Sequence, residues 1–328
     1  MGTLPKTDLG DGLTVSAIGF GGMALTPVYG AVDDSESLAT LHHCLDVGMT
    51  FIDTANIYGV GANERLIAQL LADRRDEVQL ATKFGIDGDP TTGKLKARGD
   101  AAYVRQCIDD SLERLGTDTV DLYYMHRRDV SVPIEETVGA MAELVAAGKV
   151  RHLGLSELTA DELRAAAAVQ SEWSIWSRDV ERNVVPAAVE LGVGFVPYSP
   201  LGRGFLAGAV RSAADLSAGG DLRNLMPRFA GEALDTNLAV VQVVLSVADE
   251  AGATPAQVAL AWLRQRAEAL GVASVPIPGT RRAARVDENA GSLSVHLNPE
   301  QVSALETAGA AVSGHRSIDP GWVSSGRE

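Results

Sequence analysis

Short runs of β-branched and apolar residues alternate with longer segments whose apolar residues recur three and four apart, and the alternation persists almost to the C-terminus. Eight runs read as strands: SAIGFGG (16–22), TFIDTA (50–55), VQLATKFG (78–85), VDLYYMHR (120–127), VRHLGLSE (150–157), AAVQSEW (167–173), GFVPYSPL (194–201) and ASVPIPGT (273–280). Between them, ESLATLHHCLDVG, AAYVRQCIDDSLERLG and IEETVGAMAELVAAG have helical spacing, and each closes near a glycine, the usual C-cap signal. Eight such units in 328 residues predict an α/β fold, a closed (β/α)8 TIM barrel formed by one domain over 1–328.

The spacing departs from regularity twice. Residues 201–273 contain a Gly- and Arg-rich stretch, LGRGFLAGAVRSAADLSAGGDLRNLMPRFAG, before helices resume near Thr236, which predicts a long loop over one barrel mouth. Between Glu157 and Gln170 only twelve residues intervene, so the fifth helix is truncated, the sixth strand is displaced, or residues are missing there. The run GFGGMA places Gly19, Gly21 and Ala24 at a GxGxx[GA] spacing, but TPVYGAVDD follows in place of a helix, so the dinucleotide fingerprint lacks its context.

Composition narrows the function. A net charge of −15 repels polyanions, so neither a nucleic-acid nor an anionic-membrane partner is expected. MGTLPKTDLG lacks the apolar core of a signal peptide, and LAVVQVVLSVA (238–248) reads as too short and too polar to span a bilayer, which makes a cytoplasmic protein the expectation. Cys44 and Cys107 share no CxxC spacing and read as buried, reduced thiols, and the histidines form no metal spacing.

In a barrel, side chains at the C-terminal strand ends converge on one pocket. There the chain places an acid, Asp53, in FIDTA; a phenol, Tyr58, five residues later in IYG; an ammonium, Lys83, in ATKFG; and an imidazole, His126, ending DLYYMH. Singly, each has a structural reading: Asp53 could cap a helix, and the others could pack or lie at the surface. Together they suit carbonyl chemistry, with Lys83 lowering the phenol's pKa, Asp53 fixing the ammonium, and His126 orienting a carbonyl oxygen.

FIDTANIYG, ATKFG and YMHR resemble the catalytic tetrad of the aldo-keto reductases, and the similarity continues through GLSE (154–157), QSEWS (170–174), VPYSPLGRG (196–204) and IPGTRR (277–282). The branch it is most similar to carries GLSE and IPGT where GxSN and IPKS are more common. The resemblance implies NADPH-dependent reduction of a small-molecule aldehyde or ketone, with Tyr58 as proton donor and Asp53, Lys83 and His126 in support. It also implies that Ser156 and Gln170 hold the nicotinamide carboxamide, that Tyr198 stacks on the ring, and that Gly22 and Met23 border that end. Glu157 stands where many members have Asn, and as a carboxylate it could accept from the amide but not donate. Ser199, Leu201 and Arg203 match the segment over the pyrophosphate. Gly279, Thr280, Arg281, Arg285, Glu288 and Asn289 match the segment that grips the adenosine 2′-phosphate and adenine, where a helix start and arginines favour an anion. Gly279 replaces a Lys of many members, which weakens the NADP preference.

Trp173 could line the substrate mouth or pack, Trp176 reads as packing, and Tyr29 and Phe229 read as apolar substrate walls. Two rival functions are an alcohol dehydrogenase running the same step backwards and a nicotinamide-binding regulatory module like the potassium-channel β subunits that the family also resembles.

Overall fold

The structure is a computed structural model that describes residues 3–89, 94–165, 168–216 and 221–318. It opens with an antiparallel hairpin, β1 (Lys6–Asp8) and β2 (Thr14–Ser16), followed by β3 (Phe20–Gly21), α1 (Asp34–Asp46), β4 (Phe51–Asp53), α2 (Ala62–Arg74) and β5 (Gln79–Phe84). A second hairpin, β6 (Ile86–Asp89) and β7 (Lys94–Ala97), precedes α3 (Ala101–Leu115), β8 (Val120–Met125), α4 (Ile134–Ala146), β9 (Val150–Ser156), β10 (Ala168–Glu172), α5 (Val184–Leu191) and β11 (Gly194–Tyr198). The chain ends in α6 (Gly231–Ala251), α7 (Pro255–Leu270), α8 (Ala283–Gly291) and α9 (Pro299–Ala310).

Seven parallel strands stand in the order β3, β4, β5, β8, β9, β10, β11. The eighth, expected over 273–280, is an extended segment with one isolated bridge, Phe195 to Ser274. Pro276 and Pro278 lack the N–H that a regular ladder requires. The segment nevertheless closes the barrel: Phe195 N donates to Ala273 O (2.8 Å), Ile277 N to Pro197 O (3.1 Å) and Gly19 N to Pro276 O (2.9 Å).

Because successive strand residues point to opposite faces, alternate positions fill the barrel. Phe51, Ala81, Leu122, Tyr124, Ala168, Val196, Val275 and Ile277 form one buried cluster, and the first hairpin inserts Leu9, Leu13 and Val15 into it. That hairpin is a floor which the alternation of strands and helices did not announce. Two residues further along the same faces come Asp53, Lys83, His126, Gln170 and Tyr198, so the period that packs the core also aims the polar residues at the opposite mouth. The outward faces, Ile52, Leu80, Tyr123 and Leu155 among them, pack on the helices.

The fifth unit is short because its helix is reduced to one 3-10 turn, Asp161–Ala165. β10 keeps its place, with Gln170 opposite Ser156 on one side and Val196 on the other. Ala167, where the sixth strand was expected to begin, lies outside the described residues. The long loop holds 3-10 turns at Ala213–Leu216, Leu222–Leu225 and Pro227–Phe229, and α6 starts at Gly231, before Thr236. Among the described residues, α6 alone is long and apolar enough by length and composition to cross a membrane, so the apolar run extends beyond 238–248. In the fold, Leu234, Val240, Val241, Val244 and Val247 of α6 are buried in the core shared with α7.

Candidate active site

At the upper end of β4, Asp53 is fully buried and forms an ion pair with Lys83, itself fully buried on the neighbouring strand β5. Lys83 Nζ also donates to Thr54 O (2.7 Å), and Gln170 Nε2 donates to Asp53 Oδ2 (2.9 Å). Burial pushes the Asp53 carboxyl up and the Lys83 ammonium down, and each partner's charge pulls the other back.

Tyr58 sits in the turn after β4, held by Tyr58 N donating to Ala55 O (3.1 Å), and its ring meets His126 edge-on with centroids 5.9 Å apart. Lys83 Nζ lies 5.2 Å from the Tyr58 ring centroid. His126 N donates to Phe84 O (2.7 Å), whereas His126 Nδ1 is buried with no protein partner. The four residues of the sequence reading are thus brought together.

The net shift of the phenol is upward, not downward. Tyr58 is raised above the ordinary phenol value, by burial first and by the Asp53 charge second, with Arg127 and Arg203 opposing. Burial and the Asp53 charge outweigh the cations, although Lys83, 5.2 Å from the ring centroid, still favours the phenolate. His126 is held well below its ordinary value by burial, Arg127 and Lys83, so it stays neutral.

Beside this group, Ser156 Oγ at the end of β9 is buried without a partner, Gln170 lies in the middle of β10, and Tyr198 ends β11. Glu157, Ser199 and Arg203 are non-glycine residues with φ of 57°, 48° and 59°. Left-handed backbone costs such residues on the order of 1 kcal/mol, and it concentrates where function holds a chain in an unusual path. Gly22 and Met23 lie in a 3-10 turn above β3, where Asn63 Nδ2 donates to Gly22 O (3.0 Å) and Asn63 Oδ1 accepts from Thr54 Oγ1 (2.6 Å). Leu201 packs partly buried on both main cores, and Arg203 Nη1 donates to Tyr29 Oη (3.0 Å), bringing the long loop over the β3 loop.

Towards α8, no side chain caps the helix start, and Thr280 Oγ1 accepts from Arg282 N (3.2 Å). Arg281 Nη1 donates to Ala31 O (2.6 Å) and Arg281 Nη2 to Tyr29 O (3.1 Å), while Arg285 pairs with Glu288. Asn289 is buried. A Cβ on Gly279 would stand 2.4 Å from Gly21 O, so glycine is there because two barrel backbones touch.

The family model "Aldo/keto reductase family" matches residues 17–310. The chain belongs to the aldo/keto reductase family. It is 42% identical over 304 residues to "Probable aldo-keto reductase 1" of Glycine max, covering 90% of this chain and 85% of that protein. Among solved structures it resembles the glycerol dehydrogenase AKR11B4 from Gluconobacter oxydans, with a TM-score of 0.82 and 25% identity over 96% of this chain and 98% of that one. The aldo/keto reductase assignment makes the chain an oxidoreductase of a family that uses a nicotinamide cofactor.

In this aldo/keto reductase some residues play other parts than their motifs suggested. Glu157 is tied up by Arg316 of the C-terminal segment, a residue that no motif singled out. Trp173 is fully buried, its Nε1 donating to Glu181 Oε1 (3.0 Å), so it is core and not mouth. Trp176 stacks on Phe205, and Phe229 is buried edge-on to both, which makes Phe229 packing and not a substrate wall. Asn63, which joins α2 to the turn above β3, also went unread, and a polar residue beside ERLI gave no signal beyond that of a helix surface.

Proposed function

We propose that this aldo/keto reductase reduces an aldehyde or ketone with NADPH, and that Tyr58 delivers the proton. The observation that carries this reading is the edge-on meeting of the Tyr58 and His126 rings beside the buried Asp53–Lys83 pair, in surroundings that favour the protonated phenol and the neutral imidazole. A nicotinamide dinucleotide fits the residues present: Ser156 Oγ lacks a partner, Gln170 keeps its amide oxygen as an acceptor, and α8 begins with uncapped N–H groups. When bound, it would supply a hydride from its nicotinamide ring.

The chain's part is orientation and proton handling. His126 presents a neutral ring that directs a carbonyl oxygen toward the Tyr58 hydroxyl, and Tyr58 donates its proton as negative charge develops on that oxygen. Lys83, fixed by Asp53 and Thr54 O, stabilises the resulting phenolate. Tyr198 offers its ring as the stacking face, and Ser199, Leu201 and Arg203 cover the pyrophosphate. Arg281 and Arg285, exchanging their present partners for a 2′-phosphate, favour NADPH. The reverse reaction uses the same groups, and the likeness to a glycerol dehydrogenase keeps alcohol oxidation within this reading.

The direct test is oxidation of NADPH, and separately of NADH, with 4-nitrobenzaldehyde. Turnover with NADPH preferred is expected. Binding of NADPH without turnover of any aldehyde, ketone or alcohol would instead indicate a regulatory module.

A further inference from the structure

Arg316 follows α9 in the C-terminal segment, far in sequence from the barrel strands, yet it is only 7% exposed. Its Nη2 pairs with Glu157 Oε2, and its Nη1 donates to Tyr198 Oη at 3.2 Å. Glu172 Oε2 stands 3.6 Å from Nη1 and Asp179 Oδ2 3.7 Å from Nε. The surrounding charges balance, because Arg203 and Arg228 also approach Glu172, at 3.8 and 3.6 Å. Burial raises the Glu172 carboxyl, but Arg316, Arg203 and Arg228 outweigh burial and hold it below its usual range.

The segment carrying Arg316 is itself anchored. Asn237 of α6 accepts from Ser313 N and donates to Ser313 O, both at 2.9 Å, and Arg228 Nε donates to Gly314 O at 3.2 Å. The guanidinium therefore arrives on a fixed backbone, and its fork joins Glu157, just after β9, to Tyr198, at the end of β11, across the intervening β10. Glu157 also accepts from Glu172 N at 3.2 Å, so its carboxylate is committed to the protein. This removes Glu157 as an acceptor for a carboxamide and explains how an acid can stand beside Ser156 at all.

We propose that Arg316 is a positioning residue for the nicotinamide end of the cofactor, holding the Tyr198 ring and the Glu157 turn so that the C-terminal segment and the nicotinamide half of the site are ordered together. The inference rests on the cofactor reading above. It gives the acid at 157 a purpose: Glu157 and Arg316 act as a pair, and neither is useful alone. Reciprocity follows, since a segment that tightens nicotinamide binding must be tightened by it to the same degree.

The test compares two ligands that share the adenosine half. Dissociation constants for NADPH and for adenosine 2′,5′-bisphosphate are measured on the full chain, wild type and Arg316→Met, by calorimetry. The expected result is NADPH binding weakened about tenfold, with the bisphosphate unchanged within about twofold. Glu157→Gln/Arg316→Met, which leaves no buried carboxylate stranded at 157, shows the same split if the single variant fails to fold. Equal weakening of both ligands, or no change in either, overturns the positioning role while leaving the cofactor reading intact. A wild-type chain that binds neither ligand overturns both.

Discussion

Tyr58→Phe is expected to lower kcat/KM for carbonyl reduction by about 10³-fold, within the range that a positioned general acid contributes. The phenylalanine keeps the ring that meets His126 and removes only the hydroxyl, so NADPH affinity stays within about twofold of wild type. Steady-state reduction of 4-nitrobenzaldehyde and fluorescence titration of NADPH check the two halves separately. A rate within about tenfold of wild type would mean that the proton comes from elsewhere, and a matching loss of affinity would mean that Tyr58 serves binding.

Lys83→Met is expected to destabilise the chain by about 3–5 kcal/mol and to abolish detectable reduction. Asp53 would be left buried with Gln170 Nε2 as its one remaining side-chain donor among the described residues, too little to offset a desolvated charge. Asp53→Asn/Lys83→Met removes both charges and recovers most of the stability, because a neutral pair carries no comparable desolvation cost. Activity does not return with it, since the phenolate loses its cation. Urea unfolding of the single and double variants, alongside their reduction rates, separates the two effects. Equal stability of the single variant and wild type would show that the ion pair contributes nothing to folding.

Much of this arrangement is legible in one dimension because a parallel strand writes its chemistry at fixed steps. Phe51 and Asp53, Ala81 and Lys83, and Ala168 and Gln170 are pairs two residues apart, core first and polar second, and that period is readable before any fold is known. The eighth strand was legible as extended chain, but its two prolines withhold the ladder, so its closure is visible only in hydrogen bonds to β11 and to Gly19. The floor hairpin was not legible, since Leu9, Leu13 and Val15 carry no more signal than an apolar N-terminal loop. Nor was the direction of the Tyr58 shift, which depends on depth of burial and on how Asp53 divides its charge between Lys83 and the phenol. Arg316 was hidden for a simpler reason. A single arginine in a polar tail says nothing of the buried carboxylates, more than a hundred residues earlier, that the fold places around it.

The central claim is that the partly buried Tyr58 keeps its proton until the carbonyl oxygen takes it. Its folded pKa lies above the ordinary phenol value, so the donor form persists through and beyond neutral pH, while the basic form needed for alcohol oxidation is scarce and grows as pH rises. The most direct measurement is therefore the single-turnover rate of NADPH oxidation by an aldehyde, and of NADP reduction by the matching alcohol, from about pH 6 to 9.5. The account predicts a flat rate for reduction and a rate for oxidation that climbs by close to tenfold per pH unit. A reduction rate that falls away with a midpoint near neutrality, together with a pH-independent oxidation, would contradict it.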